Sequence, residues 1–115
     1  MALALNVFKT VTTIVPTSPV GIYTAPVGYT GVVLLAQVAN IGANSQDVTF
    51  SHERTSAGVA VTTRVLKNYP IAANDTANLL SGKLVLESGD RLLLSGSNGT
   101  DLEFIGSVQI GRAHV

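Results

Sequence analysis

The sequence lacks cysteine and tryptophan altogether, and it has few charged residues. Without cysteine, the chain can form neither a disulfide framework nor a thiolate metal site. Charged residues make up 12% of the chain, less than half of the usual share of about 25%. The seven Lys and Arg residues are scattered singly, whereas nucleic-acid binding needs clustered cations. We therefore expect no nucleic-acid partner.

Long apolar runs are absent as well. No stretch approaches the roughly 20 apolar residues that a bilayer-spanning helix needs. The beginning of the sequence also lacks the cationic start and the cleavage site of a signal peptide. These two absences predict a soluble, unprocessed chain with no membrane partner.

Apolar residues are plentiful in this short chain, and its charges balance. Of its 115 residues 46% are hydrophobic, the formal net charge is zero and the mean hydropathy is +0.39. This length fits one domain, which we expect to span residues 1–109, with residues 1–19 as an N-terminal strand or arm. Small domains of near-zero net charge tend to associate. We therefore expect a homo-oligomer, with a trimer favoured.

Short segments rich in β-branched residues recur along the chain, separated by turn residues. The candidate strands are residues 7–15, 21–24, 31–41, 47–54, 59–66, 68–71, 79–80, 83–86, 91–95 and 101–108. Residues 47–54 and 59–66 predict a hairpin around the turn at 55–58. A turn signal every eight to twelve residues predicts an all-β fold, a single antiparallel β-sandwich or jelly roll of about seven to nine short strands.

Two segments have less regular patterns. Residues 31–41, GVVLLAQVANI, form the longest apolar stretch and predict a central strand that is buried on both faces for part of its length. Residues 72–80, AANDTANLL, contain helix formers, but the Asn-Asp-Thr interruption and the short length predict a loop with at most one helical turn.

Candidate catalytic residues are scarce. His52 and Glu53 are adjacent in a predicted strand, so their side chains point to opposite faces and cannot form a local acid–base pair. We expect His52 to be a partly buried or interface imidazole, although the sequence leaves a ligand or base role open. No G-x-S-x-G elbow and no Gly-rich phosphate loop occurs. The sequence therefore predicts no enzyme, no catalytic residue and no cofactor.

Acidic residues offer one weak metal hypothesis. Asp90, Asp101 and Glu103, together with Asn98, could supply oxygen ligands to calcium, but their spacing matches no known calcium loop. Exposed carboxylates at strand ends are ordinary, and we expect no metal site.

The aromatic residues favour a core or interface role over a sugar site. The three tyrosines Tyr23, Tyr29 and Tyr69 leave a carbohydrate module open, since such modules present exposed aromatic platforms. Without tryptophan, we expect the tyrosines to anchor the core with the hydroxyl at its rim. The possible interface residues are Phe8, Val11, Tyr23, Tyr29 and Tyr69.

Two longer segments carry a resemblance to a known class of protein. They follow the patterns Y-T-A-P-x-G-x-T, starting at Tyr23, and G-K-L-V-L-E-x-G-D-x-L, starting at Gly82. The sequence resembles, over residues 23–108, small virion structural proteins of marine tailed bacteriophages, especially those of cyanophages with contractile tails.

The resemblance implies a non-enzymatic protein located in the virion that mediates particle assembly or decoration, on the capsid, neck or tail surface. Its implied partners are copies of itself and other virion proteins. Residues 7–15 could add a strand to a neighbour's open sheet edge, or they could form an ordinary edge strand of their own domain. Residues 59–65 could form a lateral seam. The alternative function is a tail-fibre or receptor-reading module that binds host-surface carbohydrate.

The last six residues, IGRAHV, suggest an origin outside the gene. They can be encoded by ATC GGA AGA GCA CAC GTC, the start of a widely used sequencing-library adapter. We therefore expect residues 110–115 to be artefactual and to carry no function. Different codons at this position in the DNA would contradict this interpretation.

Overall fold

A computed structural model describes residues 6–112 of the chain, and the side chains of residues 7–111. The described residues form strands and loops without a helix, so none of them forms a helix long and apolar enough to cross a membrane. The strands are β1 (Asn6–Ile14), β2 (Val20–Thr24), β3 (Tyr29–Asn40), β4 (Gln46–Ser56), β5 (Val59–Ile71), β6 (Thr76–Asn78), β7 (Leu84–Leu86), β8 (Arg91–Gly96) and β9 (Leu102–Arg112).

The nine strands form two antiparallel sheets. Sheet A has the order β1-β9-β3-β6, with β7 also paired to β3, and sheet B has the order β2-β8-β4-β5. The strand pairs are nested around the β4–β5 hairpin of sheet B. Outside it, β3 pairs with β6 and β7 in sheet A, then β2 with β8 in sheet B, and then β1 with β9 in sheet A. A chain folded double and rolled in this way is a jelly roll. The predicted antiparallel β-sandwich or jelly roll is therefore confirmed.

The hairpin at the centre of this nesting is the one that the sequence predicts. β4 and β5 join through Ala57 and Gly58, whose φ angles are 53° and 79°. Two consecutive residues in the left-handed region form the tight turn that matches the twist of a β-hairpin. The structure also extends β5 through residues 68–71, for which the sequence predicts a separate strand.

Two other segments differ from the sequence predictions. β3 contains a register shift between Val33 and Leu35 that leaves Leu34 and Leu35 exposed, so β3 is not buried on both faces there. Residues 72–80 contain the short strand β6, which pairs with β3 from Gln37 to Ala39. β6 ends at Asn78, so the strand predicted at 79–80 was wrong. Three residues are too few to show a strand periodicity in the sequence.

The core lies between the inner faces of the two sheets. The rings of Phe50 in sheet B and Phe104 in sheet A lie stacked with their centroids 6.3 Å apart. Gly106, two residues after Phe104, faces the core, and a Cβ atom there would lie 2.8 Å from the Phe104 ring. The absence of a side chain at Gly106 therefore makes room for the larger ring. The buried apolar residues come from both sheets and include Val33, Val38, Val48, Leu86, Leu92, Leu94, Leu102 and Val108.

β9 continues beyond the domain boundary that the sequence predicts at residue 109. Ile110 pairs with Val7 of β1 and with Gly31 of β3, and Gly111 pairs with Asn6 and Thr30. Every non-proline residue carries the backbone donor and acceptor that such pairing uses. The pairing therefore does not test where residues 110–115 come from, and their artefactual origin stays a prediction. Residues 113–115 lie outside the described part of the chain.

Candidate functional site

A buried carboxylate, Asp90, organises one end of the sandwich. It is only 1% exposed and lies where the β7–β8 turn enters β8. Its Oδ1 accepts a hydrogen bond from Nε of Arg54 at 2.9 Å, and its Oδ2 accepts one from Nη2 of Arg54 at 2.7 Å and one from the Glu87 amide at 2.9 Å. Nε2 of His52 lies 2.9 Å from the same Oδ2.

The charges of this cluster stabilise each other. The hydrogen-bonded Arg54 guanidinium holds the pKa of the Asp90 carboxyl well below its ordinary value, against the opposing effect of burial, and His52 and the Glu87 amide add to the lowering. In turn, the hydrogen bond to Asp90 raises the pKa of Arg54. A carboxylate held by this many donors stays ionised and is a poor general base near neutral pH. The arrangement therefore suits a structural role.

The structure separates His52 from Glu53, as their positions in the sequence predict. His52 lies beside Asp90, whereas Glu53, on the other face of β4, accepts a hydrogen bond from Nη1 of Arg91 at 2.9 Å. His52 is half-buried within this ion-pair cluster. No third residue completes a catalytic arrangement around it among residues 7–111.

The residues of the calcium hypothesis do not come together. Asp90 and Asp101 lie at opposite ends of β8, whose six residues span roughly 20 Å at about 3.3 Å per residue. Asn98 Oδ1 accepts hydrogen bonds from the amides of Thr100 and Asp101, and so closes the β8–β9 turn. Within the described residues, no group of three or more His, Cys, Asp and Glu side chains could hold a metal ion.

The three tyrosines lie in different environments. Tyr23, on the edge strand β2, is only 8% exposed; its buried hydroxyl has no hydrogen-bond partner among the described residues, and burial raises its pKa. Tyr69 is exposed on β5, the opposite edge of sheet B, and Tyr29 is half-buried in sheet A. The tyrosines therefore form no common groove. Tyr23 is buried within its own chain, and the interface roles of the three tyrosines stay predictions.

The two other predicted interface residues lie on β1, the edge strand of sheet A. Phe8 is 69% exposed, whereas Val11 is half-buried and packs against the core. β1 pairs with β9 of its own domain along its whole length, and its other edge has no strand neighbour among the described residues. Strand addition to a neighbour therefore stays a proposal for that free edge.

The outer face of sheet A combines exposed apolar side chains with very little charge. Register places Phe8 and Ile14 of β1, Ile105 of β9, Leu35 of β3 and Val85 of β7 on this face. All five are exposed. Among the outward side chains of sheet A that the structure describes, Glu103 is the only charged one. A solvent-facing sheet surface normally carries many more polar and charged groups.

A shallow groove of about 560 Å³ crosses this face. Ile14 and Ile105 lie in it as diagonal neighbours on paired strands, and Glu103 lies beside them. Its remaining lining is Thr12, Thr13, Gln37, Ala39, Thr76 and Phe104. With hydroxyl, amide and apolar groups but one carboxylate, the groove is suited to contact with another surface and offers no catalytic pair.

The sequence reasoning missed Ile14, Ile105, Leu35 and Val85 as surface residues. A signal for Ile105 was present, because Leu102 and Phe104 of β9 face the core and strand alternation then turns Ile105 outward. Strand alternation in the sequence does not predict the exposure of Leu35, because this exposure depends on the irregular register of β3.

A second exposed feature is the end of the β4–β5 hairpin. β8 pairs with β4 only as far as Glu53, so beyond this residue the hairpin has two strands and no neighbour in sheet B. Residues 54–61 are all exposed, and Val59 is 62% exposed. The hairpin end therefore projects from the sandwich, and the Arg54–Asp90 pair fixes its base.

Comparison with known proteins supports the fold but supplies no family. No known protein family matches the sequence, and no curated protein matches it. The fold is similar to that in the crystal structure of the T13 particle of infectious bursal disease virus, with a TM-score of 0.57 and 11% identity over 93% of this chain and 31% of that one. This chain thus spans about a third of the length of that viral protein.

Two other solved structures match over nearly the full length of both this chain and the matched chain. One is from the acid-stable capsid of Helicobacter pylori bacteriophage KHP30, with a TM-score of 0.54 and 10% identity over 94% of this chain and 88% of that one. The other is from the disulfide-linked pili of Bacillus endospore appendages, with a TM-score of 0.50 and 12% identity over 98% and 97%. At these identities the likeness concerns the fold. The neighbours are proteins of viral capsids and pili.

Proposed function

We propose that this protein is a non-enzymatic structural component of a virus particle, located in the virion, where it assembles with copies of itself and with other virion proteins. The observation that carries the proposal is the outer face of sheet A, whose exposed apolar residues surround a groove with a single carboxylate. Such a face loses little hydration of charged groups when another surface covers it. The capsid proteins among the structural neighbours support the same role.

A rigid sandwich that binds its neighbours through apolar surface contact is suited to this function. The only buried acid–base cluster, among residues 7–111, is taken up by the internal pairing of Arg54 and Asp90. The projecting hairpin end and the free edge of β1 add two further places at which a neighbour could bind. The proposed function is then non-covalent binding to neighbouring proteins, and it requires no covalent step.

The finer assignments belong to this proposal as well. From the resemblance in residues 23–108, we propose a tailed-phage particle of the marine cyanophage type, with the protein decorating or reinforcing the capsid, neck or tail surface. We further propose a trimer. The carbohydrate-binding alternative would need an aromatic groove, which the separated tyrosines do not provide.

Sedimentation velocity of the purified chain tests the assembly role. We expect the wild-type protein to sediment as an oligomer, and Ile105→Glu to shift it to the monomer, because the new carboxylate would lie beside Glu103 and would be covered without a partner. Val27→Glu is the matched control: Val27 is an exposed valine in the β2–β3 loop, and its variant should remain oligomeric. A wild-type monomer at micromolar concentration would contradict the proposed self-association.

Cross-linking mass spectrometry on intact particles tests the location. Cross-links between this chain and the major shell protein would support decoration of the capsid. Cross-links confined to distal fibres would contradict it and favour receptor reading.

A further inference from the structure

A small pocket with several polar side chains in its lining lies on the outer face of sheet B, on the opposite side of the molecule from the groove of sheet A. Its volume is about 160 Å³. β4 contributes Thr49 and Ser51, β5 contributes Thr62 and Arg64, and β8 contributes Ser95. Pro19, Leu93 and Leu94 complete the lining. Three neighbouring strands thus place four hydroxyl groups and one guanidinium around a common space.

Three of these polar side chains have no protein partner. Ser51 is only 4% exposed, yet its hydroxyl makes no hydrogen bond with residues 7–111, and neither does that of Ser95. Arg64 forms no ion pair or hydrogen bond with the same part of the chain. The Ser51 hydroxyl is not one of the buried unpaired groups, so the small exposed part of this residue includes its oxygen. The Ser51 hydroxyl, the Ser95 hydroxyl and the Arg64 guanidinium are therefore free to bind a ligand in the pocket.

Sheet register brings these groups close together. Ser51 is the direct cross-strand partner of Arg64, and Thr49 is that of Ser95. Direct partners have Cβ atoms about 5 Å apart. The Arg64 guanidinium and the Ser51 hydroxyl can therefore reach the same small ligand, with the Ser95 hydroxyl one strand away.

The remaining hydroxyls are already engaged. Thr49 Oγ1 accepts a hydrogen bond from the Asn68 amide at 3.0 Å, and Thr62 Oγ1 donates to Glu53 at 3.5 Å. The groups left for a ligand are therefore one guanidinium, which only donates, and two serine hydroxyls that can donate. A ligand that fits this set must be an acceptor.

The surrounding charges favour an anion. Glu53 is the nearest acid along β4, and Arg91 neutralises it through a hydrogen bond of 2.9 Å. Asp47 lies four residues from Ser51 on the same strand, roughly 13 Å away at about 3.3 Å per residue, which exceeds the Debye length at physiological salt. Arg64 therefore remains as the charge that a ligand in the pocket would meet.

We propose that this pocket binds a small oxyanion group, a sulfate, phosphate or carboxylate, with Arg64 supplying charge and paired donors and Ser51 and Ser95 supplying hydroxyl donors. The planar guanidinium matches the geometry of such groups. This site does not depend on the assembly role proposed above, because it lies on the other sheet. The oxyanion could be free in solution or carried by an acidic sugar.

Sulfate titration followed by two-dimensional 15N–1H NMR tests the site, with sodium chloride added to keep the ionic strength constant. We expect the amides of Ser51, Arg64 and Ser95 to shift in a saturable way. Arg64→Gln should weaken binding roughly tenfold or more, and Ser51→Ala a few-fold, since charge-assisted hydrogen bonds are the stronger contacts. Lys67→Gln is the matched control, because Lys67 is an exposed cation on the same strand that does not line the pocket, and binding should be unchanged.

Two outcomes of the sulfate titration would overturn the proposal: no saturable shift at these three amides in wild type, or an equal loss of binding in Arg64→Gln and Lys67→Gln, which would indicate non-specific screening. A second titration uses a sulfated or glucuronate-containing disaccharide. Tighter binding of the disaccharide than of sulfate, lost in Arg64→Gln, assigns the oxyanion to a sugar, and equal binding assigns it to the free ion. Disaccharide binding that survives Arg64→Gln unchanged would also contradict the site.

Discussion

Arg54 and Asp90 are joined by two parallel hydrogen bonds, from Nε to Oδ1 at 2.9 Å and from Nη2 to Oδ2 at 2.7 Å. The two residues are 36 positions apart in the sequence. Their pair ties the base of the projecting hairpin to the turn between β7 and β8. Since Asp90 is buried and Arg54 lies at the surface, the pair holds a buried negative charge that needs its donors.

Asp90→Asn should therefore destabilise the protein strongly. The amide cannot accept both hydrogen bonds from Arg54, and its NH2 group faces donors, which leaves buried groups unpaired. We expect the free energy of unfolding to fall by about 2–4 kcal/mol in urea denaturation. Asp47→Asn, at an exposed position of β4, should change it by less than about 0.5 kcal/mol. Equal effects of the two changes would show that the cluster does not stabilise the fold.

The stabilising effect of Asp90 should depend on pH in a defined direction. Its pKa is lowered in the folded state, whereas in the unfolded chain it is about 3.9. The folded protein thus binds fewer protons, and the contribution is fully present above about pH 4 and is lost as the pH falls through the lowered folded pKa. The difference in unfolding free energy between wild type and Asp90→Asn should shrink from about pH 4 downward. A difference that stays constant over this acid range would contradict the assignment.

A substitution at Gly106 tests how tightly the core is packed against sheet A. In Gly106→Ala the new Cβ atom would lie 2.8 Å from Cζ and 3.1 Å from Cε2 of Phe104, and 3.1 Å from the carbonyl oxygen of Leu35. The ring must move, so we expect a loss of about 1–3 kcal/mol in unfolding free energy. Gly82→Ala is the matched control, because a Cβ there meets no atom within 4 Å, and its effect should stay within about 0.5 kcal/mol. A neutral Gly106→Ala would show that the ring has room to shift.

The hairpin turn offers a stabilising change. Ala57 has a φ of 53°, a conformation that Asn tolerates better than Ala and that Asn-Gly turns commonly use. Ala57→Asn should raise the unfolding free energy by about 0.5–1 kcal/mol, which thermal denaturation would detect as a higher Tm. Ala60→Asn makes the same substitution in the extended part of the hairpin and should bring no gain. A Tm for Ala57→Asn at or below that of wild type would contradict the turn assignment.

Local patterns in the sequence were sufficient to predict most of the fold. The alternation in residues 47–54 and 59–66, with Gly58 between them, predicts the hairpin because strand periodicity and turn chemistry are local properties. β6 was missed because three residues carry no period. The exposure of Leu34 and Leu35 was missed because a register shift depends on the partner strand and not on the strand itself.

The candidate sites depend on contacts that no local pattern contains. His52 and Arg54 reach Asp90 only because the rolled topology brings the β7–β8 turn beside β4. The proposed oxyanion site likewise needs the register of β4 with β5 and β8 to place Ser51 beside Arg64. The sequence shows these residues as isolated polar positions. Strand pairing brings them together.

The nesting of the strands has a consequence for the order of folding. Among the described strands, β1 precedes and β9 follows all the others, yet the two pair along the whole of β1, and Asn6 is the register partner of Gly111. These contacts have the greatest sequence separation in the sandwich, so we expect the central β4–β5 hairpin to form before sheet A closes. The same pairing places Asn6 beside Gly111, so segments attached before β1 and after β9 would leave the sandwich at the same corner.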